Sequence, residues 1–341
     1  MSSISNKKWF NGLDSLRIIL AITVLLSHFD NVYADMLKLS PHLPLRAFGF
    51  ILRNAFDGTA AVIAFFIISG FVIHYPNKNG ITSIKDFWIR RFVRIIIPLA
   101  VIWTIGIWFN HPENAVIWSL ICELIYYAIY PFICKIKLSW ANKVIIAFII
   151  STMVIVWGAH NDIYALFKQT DVNYQGYYWQ LGYSLTWLVG LPCWLLGVLL
   201  AEHIDKLNTA SFRSVILYRC LVFAIGCFCC IAKFHMHLSY IISMNLFSFV
   251  LYKWLQTEIV YFKTRPANNT LENMGKFSYS LYICHPLIYL ILKSYLPNNA
   301  FTYPLFIILA IGISYCFYLF IEKPAHQFAQ RIIKKYSFQP R

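Results

Sequence analysis

The chain has 341 residues, of which 59% are hydrophobic and 13% charged, and its formal net charge is +15. Soluble globular domains carry about a quarter charged residues, so this composition excludes that class. Apolar runs of about 17 to 25 residues, the length that crosses a bilayer, recur along the whole sequence. We therefore predict an all-α, polytopic integral membrane protein with about ten transmembrane helices.

The predicted spans follow these apolar runs. They are 16–34, 48–75, 92–110, 117–134, 141–158, 179–200, 214–232, 238–256, 277–294 and 303–321. No linker rich in Pro, Gly or Ser separates them, so residues 1–341 are predicted to form a single transmembrane domain with no separate soluble domain. No small-residue cleavage site follows the first apolar run, which favours a retained helix over a signal peptide.

The excess of Lys and Arg follows this topology. With both termini on the cytoplasmic side, 23 of the 29 Lys and Arg residues fall in cytoplasmic segments. This bias obeys the positive-inside rule and predicts cytoplasmic termini. Nucleic-acid binding is not needed to explain the charge, and we expect no nucleic-acid partner. The nine cysteines give no metal or redox pattern, because Cys227, Cys229 and Cys230 lie in an apolar span where cysteine behaves as a small hydrophobe, so we expect no metal site.

The first predicted helix carries two ionisable residues on one face. Arg17 and His28 are eleven residues apart, which is three helical turns plus about 20° and about 16 Å along the axis. Ionisable groups at membrane depth point to a functional site. The alternative is an Arg that reaches to interfacial water and a His that hydrogen-bonds inside the bundle.

Two further stretches favour ligand contact. Arg91 and Arg94, with Arg90 beside them, place guanidinium groups on one side of a helix, an arrangement that suits phosphate. An ordinary positive-inside boundary or contact with lipid headgroups is the alternative. Ser69 and Gly70 remove side-chain bulk, so that a ligand or a neighbouring helix can approach the backbone.

Two polar faces lie on otherwise apolar spans. Glu123 is the only carboxylate within span 117–134, where it belongs to a stripe that also holds Ser119, Tyr126, Tyr127 and Tyr130. In span 277–294, Ser278, Tyr282 and His285 share a face and precede Pro286, which predicts a kink. By residue counting, His28, Glu123 and His285 all reach the middle third of the bilayer.

Taken in order, these stretches resemble the membrane acyltransferase-3 family over residues 17–324. The matching motifs are Arg17 with His28; Phe65, Phe66, Ser69, Gly70 and Phe71; Arg91 with Arg94; Trp118, Ser119, Leu120 and Glu123; residues 278–286; and Glu322, Lys323 and Pro324. The chain departs from the pattern at Ser27, where many members have an aromatic residue.

The resemblance implies an acyl-CoA donor, with acetyl-CoA expected, and a hydroxyl acceptor on a carbohydrate such as a surface polysaccharide or lipid-linked glycan. It also implies a multi-pass protein of the bacterial inner membrane, in contact with membrane lipids, and it leaves homo-oligomer formation open. A proton-coupled transporter or flippase that uses His28 and Glu123 is the alternative from another class.

The resemblance and the residue patterns together assign roles to eleven residues. We predict catalytic roles for His28, Glu123 and His285, donor binding by Arg17, Arg91, Arg94, Ser69 and Gly70, and acceptor binding by Trp118, Ser119 and Tyr282. His28 acts either as a general base or as a nucleophile that carries the acyl group.

Overall fold

The computed structural model describes residues 10–111 and 116–337, and within these ranges the chain is helical with no strand. The all-α prediction is confirmed. The helices are α1 Leu13–His28, α2 Val32–Lys38, α3 Leu43–Asn54, α4 Gly58–His74, α5 Ile84–Trp108, α6 Ile117–Lys135, α7 Trp140–Gly158, α8 His160–Lys168, α9 Gly182–His203, α10 Phe212–His235, α11 Tyr240–Tyr261, α12 Asn269–Gly275, α13 Ser278–Tyr295, α14 Thr302–Phe317 and α15 Lys323–Ser337.

Seven helical segments within the described ranges are long and apolar enough to cross a membrane. They are Leu43–Asn77, Ile84–Trp108, Ile117–Lys135, Trp140–Gly158, Gly182–Lys206, Phe212–His235 and Thr302–Lys334. An eighth is present if α1 and α2, which are bent by 55°, form one span. Helices α11 and α13 occupy two more of the predicted spans but contain more polar residues, so the count of about ten stays a prediction.

The first predicted span, 16–34, is not one continuous helix. Helix α1 ends at His28, Phe29 is extended, and α2 begins after Asn31, whose side chain accepts a hydrogen bond from Ala34 N. An Asn that caps a new helix ends the previous one. His28 is therefore the last residue of α1 and does not lie near the middle of a longer helix.

Helix α4 forms the centre of the bundle. It is apolar on all sides and almost wholly buried, as expected for a helix surrounded by others. Its closest neighbour is α9, and the two backbones meet where Gly70 faces Gly197. A Cβ atom at Gly70 would lie 2.0 Å from the carbonyl oxygen of Trp194, so only glycine allows this crossing.

The remaining helices surround this central pair. Helix α1 packs on α4, α12 and α13, while α6 and α7 pack on α9. Helix α11 packs on α4, α9 and α10. The amphipathic helix α15 follows α14 through a π-helical turn at Tyr318–Glu322 and folds back onto α5. This return brings His326 and Gln330 to the same cavity as Arg17 of α1.

Candidate active site

A cavity of about 660 Å³ lies among α1, α4, α5, α6, α13 and α15. Its size falls in the range of small-molecule and cofactor sites, roughly 300–1,000 Å³. The structure brings seven of the eleven predicted site residues to its wall: Arg17, Ser69, Arg91, Arg94, Ser119, Glu123 and Tyr282. These residues come from five motifs that are far apart in the sequence, and we call this space the arginine cavity.

The positive charge of the arginine cavity comes from α1 and α5. Arg17 lies 3.2 Å from Asp14, so its charge is partly balanced within α1. Arg90, Arg91 and Arg94 lie on the first turns of α5 and have no ion pair within the described ranges. Three guanidinium groups without carboxylate partners give the cavity a net attraction for phosphate.

The carboxylate of Glu123 is held on the part of the cavity wall that α6 forms. Its Oε1 accepts hydrogen bonds from Ser69 Oγ at 2.7 Å and from the hydroxyl of Tyr127. Ser69 Oγ also accepts from Trp194 Nε1 at 3.2 Å, which ties this network to α9. Glu123 is therefore placed to contact a bound ligand, and its hydrogen bonds go to hydroxyl groups.

The two predicted histidines meet outside the lining of the arginine cavity. His285 Nε2 lies 3.2 Å from His28 Nδ1, and the ring centroids are 5.1 Å apart. His28 Nδ1 also lies 2.9 Å from the carbonyl oxygen of Val24, and His285 Nδ1 lies 3.0 Å from that of Leu281. Carbonyls only accept, so each Nδ1 carries a proton, and the one N–H of His28 Nδ1 is shared between the Val24 carbonyl and His285 Nε2. This arrangement leaves Nε2 as the basic nitrogen of His28.

Tyr282 connects these two parts of the site. Its ring lines the cavity and its centroid lies 6.3 Å from that of His285. Its hydroxyl lies 2.6 Å from Ser119 Oγ, and Ser119 in turn donates to the carbonyl of Val116 at 2.8 Å. Because Ser119 uses its proton on that carbonyl, Tyr282 donates to Ser119. Tyr282 thus lines the arginine cavity and lies next to the histidine pair.

Two predicted contact residues lie elsewhere. Gly70, predicted to contact the donor, is where α4 crosses α9. Trp118, predicted to contact the acceptor, is 5% exposed, stacks on Trp179 with centroids 5.5 Å apart, and is absent from the cavity wall. Both serve helix packing in this structure.

The cavity wall also contains residues to which the sequence assigned no role. They are chiefly Arg90, Tyr127, Tyr279, His326 and Gln330. Arg90 and Tyr127 were visible in the basic stretch and the polar stripe. His326 and Gln330 gave no local signal, because they reach the cavity only through the return of α15. No group of three or more His, Cys, Asp or Glu residues in the described ranges could hold a metal ion.

Comparison with known proteins identifies the family. Residues 10–321 match the family model described as "Acyltransferase domain" of the acyltransferase-3 type, which confirms the resemblance found in the motifs. No curated protein and no solved structure matches the chain. The family match covers well over half of the sequence and agrees with the several apolar helices. The chain therefore belongs to the acyltransferase-3 family and is a multi-pass membrane acyltransferase.

Proposed function

We propose that this acyltransferase moves an acyl group, expected to be acetyl, from acyl-CoA to a carbohydrate hydroxyl. The observation that carries the proposal is a phosphate-attracting cavity lined by Tyr282, whose ring lies beside a hydrogen-bonded histidine pair. An acyl-CoA has the matching form, with its negative charge at one end and its thioester at the other. The acceptor is a surface polysaccharide or a lipid-linked glycan.

The donor enters the arginine cavity with its phosphates on Arg91 and Arg94, and on Arg90 at the exposed edge. Arg17 extends this positive surface onto α1, the helix that ends at His28. The pantetheine arm then follows the cavity wall toward Tyr282. CoA is a cytoplasmic metabolite, so the proposal puts the arginine cavity and both termini on the cytoplasmic side of the bacterial inner membrane, in agreement with the positive-inside bias.

The transfer step uses His28 as general base. His28 Nε2 removes the proton of the acceptor hydroxyl as the oxygen attacks the thioester carbonyl carbon. The tetrahedral intermediate collapses, the C–S bond breaks, and the departing CoA thiolate takes the proton from His28. His285 keeps His28 in the required tautomer by accepting from its Nδ1. In the covalent alternative, His28 Nε2 attacks the thioester itself and the acceptor then displaces the imidazole.

The acceptor reaches His28 from the other end of α1. His28 is half-buried, and its neighbours Ser27 and Asp30 are exposed, so a polar molecule can approach without crossing the arginine cavity. Donor and acceptor would then meet from opposite sides of the phenol ring of Tyr282. This requires movement of that ring, since the histidine pair does not line the cavity in the present arrangement.

The test is release of CoA from acetyl-CoA by the protein reconstituted in lipid, with candidate glycans supplied. We expect wild type to release CoA and the double variant Arg91→Ala/Arg94→Ala to fail at the same donor concentration. The matched control is Lys206→Ala/Arg213→Ala, which removes two exposed cations outside the cavity. Absence of CoA release by wild type with every acyl-CoA and glycan, or equal release by the two double variants, would contradict the proposal.

The same assay separates acyl transfer from proton-coupled transport. A transporter or flippase that used His28 and Glu123 as a proton relay would move its substrate without consuming acyl-CoA. Movement of glycan across the vesicle membrane that depends on pH and proceeds without acyl-CoA would favour that alternative.

A further inference from the structure

A second cavity of about 740 Å³ lies on the other side of α1 and shares no lining residue with the arginine cavity. Its two walls are α1 and α10, and α4 and α11 close it from behind. Ile19 on α1 is 45% exposed and Phe223 on α10 is 53% exposed, so the space is open laterally between two bilayer-facing helices. We call it the α1–α10 groove.

The walls of the groove are apolar along most of its length. On α1 the lining residues follow helical spacing, as do those on α10, so each helix presents one continuous stripe. These residues are Leu16, Ile19, Leu20 and Thr23 on α1, and Val215, Val222, Phe223 and Gly226 on α10. The α1 stripe from Leu16 to Thr23 runs for about 10 Å along the helix axis. A hydrocarbon chain lying beside α1 would be enclosed on two sides.

The two ends of the groove carry opposite charges. At one end, the guanidinium of Arg265 lies 4.6 Å from the ring centroid of Tyr261 and donates to its hydroxyl at 2.8 Å. Arg265 has no ion pair within the described ranges, whereas Arg219 beside it is held by Glu258 at 2.6 Å. At the other end lies the buried carboxyl group of Asp57, which accepts from Ala60 N.

This polarity fixes the orientation of an amphiphile. A phosphate would be attracted to Arg265 and repelled by the carboxylate of Asp57, so its headgroup would lie at the Arg265 end. That end also holds Gly12, next to Phe262, and is therefore the end of α1 that carries Arg17. A cation at the membrane surface followed by an apolar groove matches an anionic lipid of the leaflet on that side.

We propose that the α1–α10 groove is a binding site for one anionic phospholipid, with its phosphate on Arg265 and one acyl chain between α1 and α10. The lipid completes the lateral packing of α1, the helix that carries both Arg17 and His28. The site is separate from the acyl-transfer site, and its occupant is a bound lipid that does not react.

Gly226 offers a direct way to block the groove. A Cβ atom built there meets only the Cβ of Asp57, at 3.9 Å, so a larger side chain would extend into the groove without meeting the backbone of a neighbouring helix. Gly312 on α14 is the matched control, because it is also helical and a Cβ there meets nothing within 4 Å. Gly226→Phe and Gly312→Phe add the same side chain, and only the first fills the groove.

The experiment is native mass spectrometry of the purified full chain with phosphatidylglycerol or phosphatidylcholine of identical acyl chains. We expect wild type to bind one phosphatidylglycerol about tenfold more tightly than phosphatidylcholine. Gly226→Phe should lose this lipid while Gly312→Phe keeps it. Arg265→Gln should bind both lipids alike, whereas Arg213→Gln, which removes an exposed cation outside the groove, should keep the preference.

Equal binding of the two lipids by wild type would overturn the proposal, as would an unchanged preference in Arg265→Gln. Retention of the lipid by a folded Gly226→Phe protein would also overturn it. If Gly226→Phe does not fold, the proposal is tested by the lipid preference alone, which Arg265→Gln should lose and Arg213→Gln should keep. The measurement is of lipid binding, so its outcome is independent of whether the protein consumes acyl-CoA.

Discussion

The arginine cavity and the histidine pair differ in almost every physical respect. The cavity is wide, about 660 Å³, and three of its guanidinium groups, those of Arg90, Arg91 and Arg94, form no ion pair with any described residue. The histidine pair is compact, with His285 fully buried and its ring nitrogens bonded to Leu281 and His28. The arginine cavity has the size and charge to bind a large anion, whereas the histidine pair holds the His28 imidazole in one tautomer.

This difference indicates how the work is divided between the two parts. Binding energy for a donor comes from the cavity, where several charged hydrogen bonds are available. Proton transfer needs a fixed geometry more than it needs space, and the hydrogen bonds around His28 supply it. The two parts should therefore respond differently to substitution, and the following variants test that separation, from the largest expected effect to the smallest.

Replacing His28 should abolish transfer and leave donor binding intact. We expect His28→Ala to lower kcat by about 10²- to 10⁴-fold, the usual contribution of a general base, with little change in acyl-CoA affinity. His203→Ala is a matched control. His203 ends α9 and its Nδ1 lies 3.0 Å from the carbonyl of Leu199, four residues earlier in the same helix. His28 ends α1 and bonds the carbonyl of Val24 in the same way. A folded His28→Ala protein with the wild-type rate would refute the assignment.

Replacing one arginine of the cavity should act on affinity instead. Arg91→Ala removes charged hydrogen bonds, each worth roughly 1.5–3 kcal/mol, so KM for the donor should rise by about 10- to 100-fold with kcat nearly unchanged. The KM of Arg91→Lys should lie between those of wild type and Arg91→Ala, because an ammonium keeps the positive charge but lacks the planar guanidinium that binds phosphate through two hydrogen bonds. Steady-state kinetics against acetyl-CoA measure both constants, and a drop in kcat at constant KM would argue against donor binding here.

Replacing His285 tests whether it positions His28. His285→Ala removes one of the two acceptors of His28 Nδ1–H and leaves the Val24 carbonyl, so kcat should fall by at most about tenfold, since one hydrogen bond is worth roughly 0.5–1.5 kcal/mol. His285→Gln supplies a carbonyl acceptor and should recover part of the rate. If both proteins fold and the kcat of His285→Gln is no higher than that of His285→Ala, the hydrogen bond from His28 to His285 does not support catalysis.

The smallest effect is expected at Ser119. Ser119→Ala removes the acceptor for the Tyr282 hydroxyl and frees the phenol ring between the two parts. We expect a change of about two- to fivefold in kcat, in the range of one neutral hydrogen bond, and more hydrolysis of acyl-CoA in the absence of acceptor. Thr152→Ala is a control, because that hydroxyl bonds only the exposed turn of its own helix α7. Equal hydrolysis of acyl-CoA by Ser119→Ala and Thr152→Ala would contradict the idea that a fixed Tyr282 ring protects the thioester from water.

The sequence was most informative where a polar face lies on an apolar helix. Arg91 and Glu123 are too costly to expose to lipid, so their helices must turn those faces inward, and the structure has them on one cavity wall. The motifs also predicted the family, and the apolar runs predicted the all-α architecture. These features depend on local sequence alone, which is why they could be predicted.

Features that depend on contacts between distant parts of the chain could not be predicted from the sequence. The predicted span through His28 assumed one helix up to residue 34, but the helix breaks after His28, and Asp30 is bonded to Tyr289 and Lys293, which come from a distant part of the chain. His326 reaches the cavity only because α15 returns to α5. Motif membership alone also could not separate Ser69, which lines the cavity, from Gly70 beside it, which packs a helix.

The crossing of α4 and α9 has a consequence for movement during the catalytic cycle. Gly70 and Gly197 bring the two backbones into direct contact, so neither helix can slide or rotate without a collision. The pair therefore serves as a fixed frame of reference for the whole protein. Ser69 is attached to this frame, so any opening between the donor and the histidines must be carried by the other helices of the site, α1, α5, α6, α13 and α15. Their movement can be tracked by distance measurements from α4.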